Sequence, residues 1–100
     1  MRYQLRIYGL LPGRADEFAR EWAEQVVPLR RAHGFEVVGG WVTEDGDRFV
    51  WIIGHEDFEA ADAAYHASSE RAAFDPDPAR HLDHSRIETI FLRTALSRVT

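Results

Sequence analysis

Gly34-Phe35-Glu36-Val37-Val38-Gly39-Gly40-Trp41-Val42-Thr43-Glu44-Asp45-Gly46-Asp47-Arg48-Phe49-Val50-Trp51-Ile52-Ile53-Gly54-His55 decides how the rest of the chain is read. Val, Ile, Phe and Trp, which suit a pleated surface, crowd both flanks of Asp45-Gly46. That pair tolerates the positive φ of a tight two-residue turn. The stretch therefore reads as a β-hairpin. In that register Glu44 pairs with Asp47, Trp41 with Val50, Gly40 with Trp51, Gly39 with Ile52 and Val38 with Ile53. One face carries Val37, Gly39, Trp41, Val50 and Ile52. The other carries Glu36, Val38, Gly40, Val42, Phe49, Trp51, Ile53 and His55. A three-residue loop with a bulge would flip the pairing. Both faces are too apolar for a sheet wetted on one side.

Upstream, Arg2 to Tyr8 alternates. Tyr3, Leu5 and Ile7 form one side of a strand, and Gln4, Arg6 and Tyr8 the other. Leu10-Leu11-Pro12-Gly13 interrupts it. A helix is predicted from Arg14 to His33, with Asp16 and Glu17 early, where acids suit the helix dipole. Phe18, Trp22, Val26 and Leu29 make one apolar stripe. Asp16, Glu17, Glu21 and Glu24 are read as its solvated face. Pro28 cannot donate to the carbonyl of Glu24, which predicts a bend or break. Gly34 stands where a left-handed residue closes a helix, with Phe35 folding back onto Leu29.

Downstream, Asp57 is the expected N-cap of a helix from about Phe58 to Ala73. Phe58, Ala61, Tyr65 and Ser68 or Ser69 mark its buried side. Asp75-Pro76-Asp77-Pro78 ends it, and Ala79 to His84 allows one short helical turn. Arg86 to Arg93 is the last strand, Ile87, Thr89 and Phe91 alternating with Arg86, Glu88, Ile90 and Leu92. No element is assigned to residues 94–100. The order β-α-β-β-α-β specifies an α+β, ferredoxin-like fold over a single domain, residues 1–100. Its four-stranded antiparallel sheet carries both helices on one face. Leu5, Ile7, Val37, Trp41, Val50, Ile52, Ile87 and Phe91 are expected beneath the helices. Gln4, Arg6, Tyr8, Glu36, Phe49, Trp51, Ile53, His55, Arg86 and Glu88 are expected on the opposite face. That mixture suits a subunit interface enclosing a polar-lined cavity.

Composition narrows the classes. The formal charge is −5, without a basic cluster, which disfavours nucleic acid as a partner. With no cysteine, disulfides, thiolate metal sites and cysteine nucleophiles are excluded. The chain enters its first strand without a signal peptide, and no apolar run approaches the ~20 residues that span a bilayer. A cytoplasmic protein with no membrane partner is the expectation.

Several segments taken in order resemble the NIPSNAP family, within the dimeric α/β-barrel group. These are Tyr3-Gln4-Leu5-Arg6-Ile7-Tyr8 with Leu11-Pro12-Gly13-Arg14, then Val27-Pro28-Leu29-Arg30 with His33-Gly34-Phe35. Gly40-Trp41-Val42 and Phe49-Val50-Trp51-Ile52, with Gly54 and Asp57, complete the set. The chain departs from the family pattern at Ile53, His55, Ala61, Ser68-Ser69 and Thr94. The resemblance implies a homodimer whose two sheets close a barrel. It also implies kinship with cofactor-independent oxygenases, cyclases, isomerases and haem-handling enzymes, among which fold does not choose.

His55, at a strand end beside Glu56 and Asp57, is the candidate acid/base; a corner residue is the plain alternative. Arg6 would hold a carboxylate, enolate or phenolate, with Tyr8 donating. Trp51 would wall the pocket, and Arg86 and Glu88 would line it or form a structural ion network with Arg6. His81 and His84 flank Asp83 at a spacing that suits one helical face, but no third ligand is fixed, and no metal is expected. His66 is a conceivable axial haem ligand; no cofactor is expected. Two readings of function stand. One is a barrel enzyme, a cofactor-independent monooxygenase or cyclase/isomerase on a small apolar carbonyl or phenolic compound. The other is a non-catalytic dimeric binding or accessory module.

Overall fold

The computed structural model describes residues 1–96. Strands β1 (Arg2–Leu10), β2 (Glu36–Val42), β3 (Arg48–His55) and β4 (Leu82–Leu92) form one antiparallel sheet in the order β2-β3-β1-β4. This is the expected α+β, ferredoxin-like arrangement. Residues 97–100 of the unassigned tail lie outside the described residues.

The hairpin keeps its register from Val42/Phe49 through Trp41/Val50 and Gly40/Trp51 to Gly39/Ile52. Val37, not Val38, then faces Ile53. Val38 is pushed out of the ladder as a bulge and is 50% exposed. The loop is longer than two residues. Thr43 N–H bonds Arg48 O at 2.9 Å, leaving Glu44 to Asp47 unpaired. The Asp45 carboxylate accepts from the Thr43 hydroxyl (2.7 Å) and Asp47 N–H (2.9 Å), a local bonding typical of aspartate in turns. Gly46 takes φ +74. One residue is added to the loop on each side, so facing pairs stay in step.

The first helical run does not break at Pro28. It is α-helix over Ala15–Glu21 (α1), widens to a π turn over Trp22–Val26, and resumes over Val27–Ala32 (α2). Val27 N–H reaches back to Trp22 O. The wide turn absorbs the donor that Pro28 lacks, as π-bulges do. Gly34 (φ +85) closes the run, with Gly34 N–H to Arg31 O and Phe35 N–H to Arg30 O, a Schellman closure.

The second helix is shorter than expected. α3 (Phe58–Ala67) stops at Ser68, which turns extended and caps α4 (Ser69–Ala72) by accepting from Arg71 N–H at 3.1 Å. Asp57 makes no side-chain cap; its N–H instead donates to His55 Nδ1. A 3₁₀ turn, Pro78–His81, leads into β4, which starts at Leu82 rather than Arg86.

One expectation is reversed. The rows of β1 and β3 beneath the helices are Gln4, Arg6, Tyr8 and Phe49, Trp51, Ile53, paired across the strands as Gln4/Ile53, Arg6/Trp51 and Tyr8/Phe49. Phe18 packs edge-on to Tyr8 (6.2 Å) and Phe49 (5.0 Å), and Trp22 to Trp51 (5.6 Å). Leu5, Ile7, Trp41, Val50 and Ile52 occupy the open face instead. Size explains the choice: Phe49-Trp51-Ile53 buries more ring and chain than Val50-Ile52. On β4 the expected sides hold. Phe91 packs on Phe58 (5.1 Å) and Ile87 faces Tyr8, while Arg86 and Glu88 lie on the open face.

Candidate functional site

Between the sheet and the helices runs a cleft of about 70 Å³. Its floor is Arg6, Tyr8 and Trp51; Trp22, Val26 and Arg30 come from the first helical run, and Tyr65 and His66 from α3. Arg71, Asp77 and Pro78 close the far side. The cleft therefore gathers three of the six side chains expected to line a site, but beneath the helices rather than on the open face.

Arg30 dominates it. The spacing Trp22, Val26, Arg30 repeats every four residues, which keeps the arginine on the helix face that meets the sheet. The side chain is 2% exposed and its Nη1 donates to Asp62 Oδ1 at 2.7 Å. Its guanidinium lies 3.8 Å from the Tyr65 ring centre, 4.8 Å from Phe35 and 5.7 Å from Trp51, within cation–π range. Burial, joined by the positive charge of Arg6, pulls its pKa down from the usual arginine value. His66, at the mouth, puts Nε2 3.5 Å from the same Asp62 oxygen. His66 and Arg30 together hold the Asp62 carboxyl far below the ordinary carboxylate range. His66, Asp62 and Arg30 form a chain running from solvent into the cleft.

Arg6 is bound differently. Its Nε donates to Tyr8 Oη at 2.8 Å and Nη1 to Gln4 Oε1 at 2.6 Å. Both acceptors are neutral, and among the described residues no ion pair includes Arg6. Tyr8 accepts from Arg6 and so keeps its own proton to donate. Burial raises the Tyr65 phenol pKa.

The remaining expected residues are elsewhere. His55 Nε2 bonds His33 O at 3.0 Å while Nδ1 accepts from Asp57 N–H at 2.8 Å. A carbonyl can only accept, so Nε2 carries the proton and Nδ1 has spent its lone pair. His55 thus ties the end of the first helical run to the start of α3 and holds no free site for proton abstraction. Arg86 donates to Asp83 (2.9 Å), Asp47 (2.8 Å) and Leu10 O (3.1 Å), locking the sheet's lower corner. Glu88 faces Ile7 across the strands, on the side away from Arg6, and does not neutralise it.

The histidines weighed for metal do not converge. His84 Nε2 bonds Ala79 O at 3.0 Å, whereas His81 is buried against Glu17 and Glu21 of α1. Glu21 is itself buried, contrary to its expected place on a solvated face. Arg80 grips both its oxygens at 2.7 and 2.8 Å, holding its pKa down, with the 3.3 Å approach of His81 a lesser cause. The Nη1 of Arg14 donates to His81 Nδ1 at 3.1 Å, so Nε2 bears the proton and has no lone pair for an ion. The cluster is an ion network that pins the 3₁₀ turn to α1. A wider depression of about 800 Å³ lies on the open face, between Tyr3, Val38, Ile52, Leu92 and the chain to Leu96.

Sequence reasoning missed Arg30, Trp22 and Tyr65 as cleft residues, and weighed His66 only for haem. The signal for Arg30 was its four-residue step from Val26.

Among known proteins, the chain is similar to NipSnap homolog 1 of Danio rerio, 32% identical over 75 residues, covering 73% of this chain and 26% of that protein. A NIPSNAP domain protein from Burkholderia xenovorans superposes with a TM-score of 0.80 at 21% identity over 100% of both chains. An antibiotic biosynthesis monooxygenase shares the fold at a TM-score of 0.70 and 16% identity, covering 96% of this chain and 100% of that one. No helix is long and apolar enough to cross a membrane among the described residues. Residues 3–97 match the model of the NIPSNAP family, and the chain belongs to that family.

Proposed function

We propose that this chain is a homodimeric small-molecule enzyme of the α/β-barrel type, with its site in the cleft beneath the helices of each protomer. The observation that carries the reading is the cleft's chemistry: aromatic walls around the guanidiniums of Arg6 and Arg30, with a third, Arg71, on the far side and a histidine–aspartate pair at the mouth. Rings from Trp22, Trp51, Tyr8 and Tyr65 suit a flat, largely apolar compound. Guanidiniums placed where charge develops favour an enolate or phenolate. His66, positioned by Asp62, would take the proton from the carbon or hydroxyl. Proton abstraction is the step shared by a monooxygenase and an isomerase acting on a carbonyl or phenol. The likeness to a monooxygenase supports trying oxygen as co-substrate first.

The tryptophans provide the test. Trp22 and Trp51 line the cleft, while Trp41 lies on the open face, 53% exposed. Titrating ¹⁵N-labelled protein with small phenols and ketones should move the indole resonances of Trp22 and Trp51 and leave Trp41 in place. Compounds that bind are then assayed for oxygen uptake and isomer formation, both of which His66→Ala should reduce by about 10²-fold or more. A panel that moves neither cleft indole overturns the reading. Binding without turnover would favour the non-catalytic module.

A further inference from the structure

We propose that the ligand of this cleft carries a permanent carboxylate, received between Arg30 and Arg6. The proposal rests on the cleft being the ligand site and adds the charge of what enters it. Three buried donors on cleft-lining side chains lack partners among the described residues: Arg30 Nε, Trp22 Nε1 and Trp51 Nε1. Arg30 and Trp51 are respectively 2% and 1% exposed. Buried donors left unbonded cost stability, so their persistence points to an acceptor that belongs among them.

Charge argues the same way. The walls hold three guanidiniums, those of Arg6, Arg30 and Arg71. Two carboxylates answer them: Asp77 pairs with Arg71 at 3.2 Å and Asp62 with Arg30 at 2.7 Å. Arg6 is left with neutral acceptors. Arg6 also destabilises the charged form of Arg30, so the two cations feel each other across the cleft. In a chain of formal charge −5, this is a local positive well. It lacks one negative charge, which a monoanion supplies.

Shape selects the carboxylate. About 70 Å³ of room admits a small planar head group and leaves the body of the ligand to the mouth. A carboxylate offers two in-plane oxygens to the guanidinium edges. The rings of Trp22 and Trp51 flank it. Phosphate is bulkier and carries more charge than the well lacks.

The same indole resonances read the outcome, with propionate and benzoate set against propionamide and benzamide. Both acids should saturate the Trp22 and Trp51 shifts at concentrations about tenfold or more below their amides. Added salt should weaken the acids and spare the amides. Arg6→Gln should erase the preference for acid over amide, whereas Arg20→Gln, on the outer face of α1, should keep it. Amides matching the acids would overturn the carboxylate and leave a neutral ligand site standing. If neither class moves the indoles, the donors are met by water and the site reading fails with the proposal. Inorganic phosphate outcompeting the acids would replace the carboxylate by a phosphoryl group.

Discussion

Arg30 and Asp62 concentrate the energetic risk of the molecule in one pair. Asp62→Ala would leave a buried guanidinium without its carboxylate. Breaking a fully buried pair costs ~3–5 kcal/mol, and Asp62 retains 30% exposure, so a loss of about 2–3 kcal/mol is expected in urea unfolding. Acid should act through the same group. The folded-state pKa of Asp62 lies below its ordinary 3.8. Its contribution is therefore present above pH 3.8 and is lost as pH falls from there through the folded value. Glu21, lowered by Arg80, adds to the same limb. Asp62→Asn should start less stable at neutral pH and lose less between pH 4 and pH 2; parallel acid limbs would contradict this. His55→Ala removes two bonds at the corner. It should cost about 1–2 kcal/mol and leave the cleft indole shifts intact. The sequence drew attention to His55 because it ends an apolar strand just before Glu56 and Asp57. Nothing in that pattern reveals that two backbone groups occupy both of its nitrogens.

At the scale of elements, three hairpin glycines are seats for aromatic rings. A Cβ on Gly40 would come within 2.5 Å of Trp22 and 2.8 Å of Phe49. On Gly54 it would meet Tyr3 at 2.6 Å, and on Gly39 Trp41 at 2.9 Å. Gly40→Ala should therefore destabilise by about 2 kcal/mol or more, measured by thermal unfolding, and blunt the Trp22 response to ligand. The order of elements was legible because periodicity and turn residues are local properties. Even the hairpin register was, up to the Val38 bulge. Which row of β1 and β3 meets the helices was not. Alternation locates two rows without saying which is inside, and equating the apolar row with the core fails where the covered side holds a polar site. Gln4-Arg6-Tyr8 is such a row. The grouping of Arg6, Tyr8 and Trp51 survived the reversal because strand parity holds whichever way the sheet is turned.

For the whole molecule, the consequence is an uncovered apolar face. Trp41 at 53%, Val38 at 50% and Ile90 at 42% exposure stand with Leu5, Ile7, Val50 and Ile52 on the side without helices. A patch of this kind on one chain marks an interaction surface, and the proposed homodimer would cover it. Light scattering at micromolar concentration should give twice the 11.5 kDa chain mass, and Ile52→Asp should halve it without unfolding the protomer. A wild-type monomer at that concentration would sink the dimer; it would leave the cleft, which is built within one chain.

Strand β1 has a further consequence for divergence among relatives. Gln4, Arg6 and Tyr8 look into the cleft side, while Leu5 and Ile7, one residue away along the backbone, look out on the open face. Two independent requirements are interleaved letter by letter in the same short word. Drift at even positions rewrites what the cleft accepts; drift at odd positions rewrites what the outer face meets. Selection can therefore retune one without touching the other, and two relatives that keep the odd letters and differ in the even ones should share an assembly and differ in ligand.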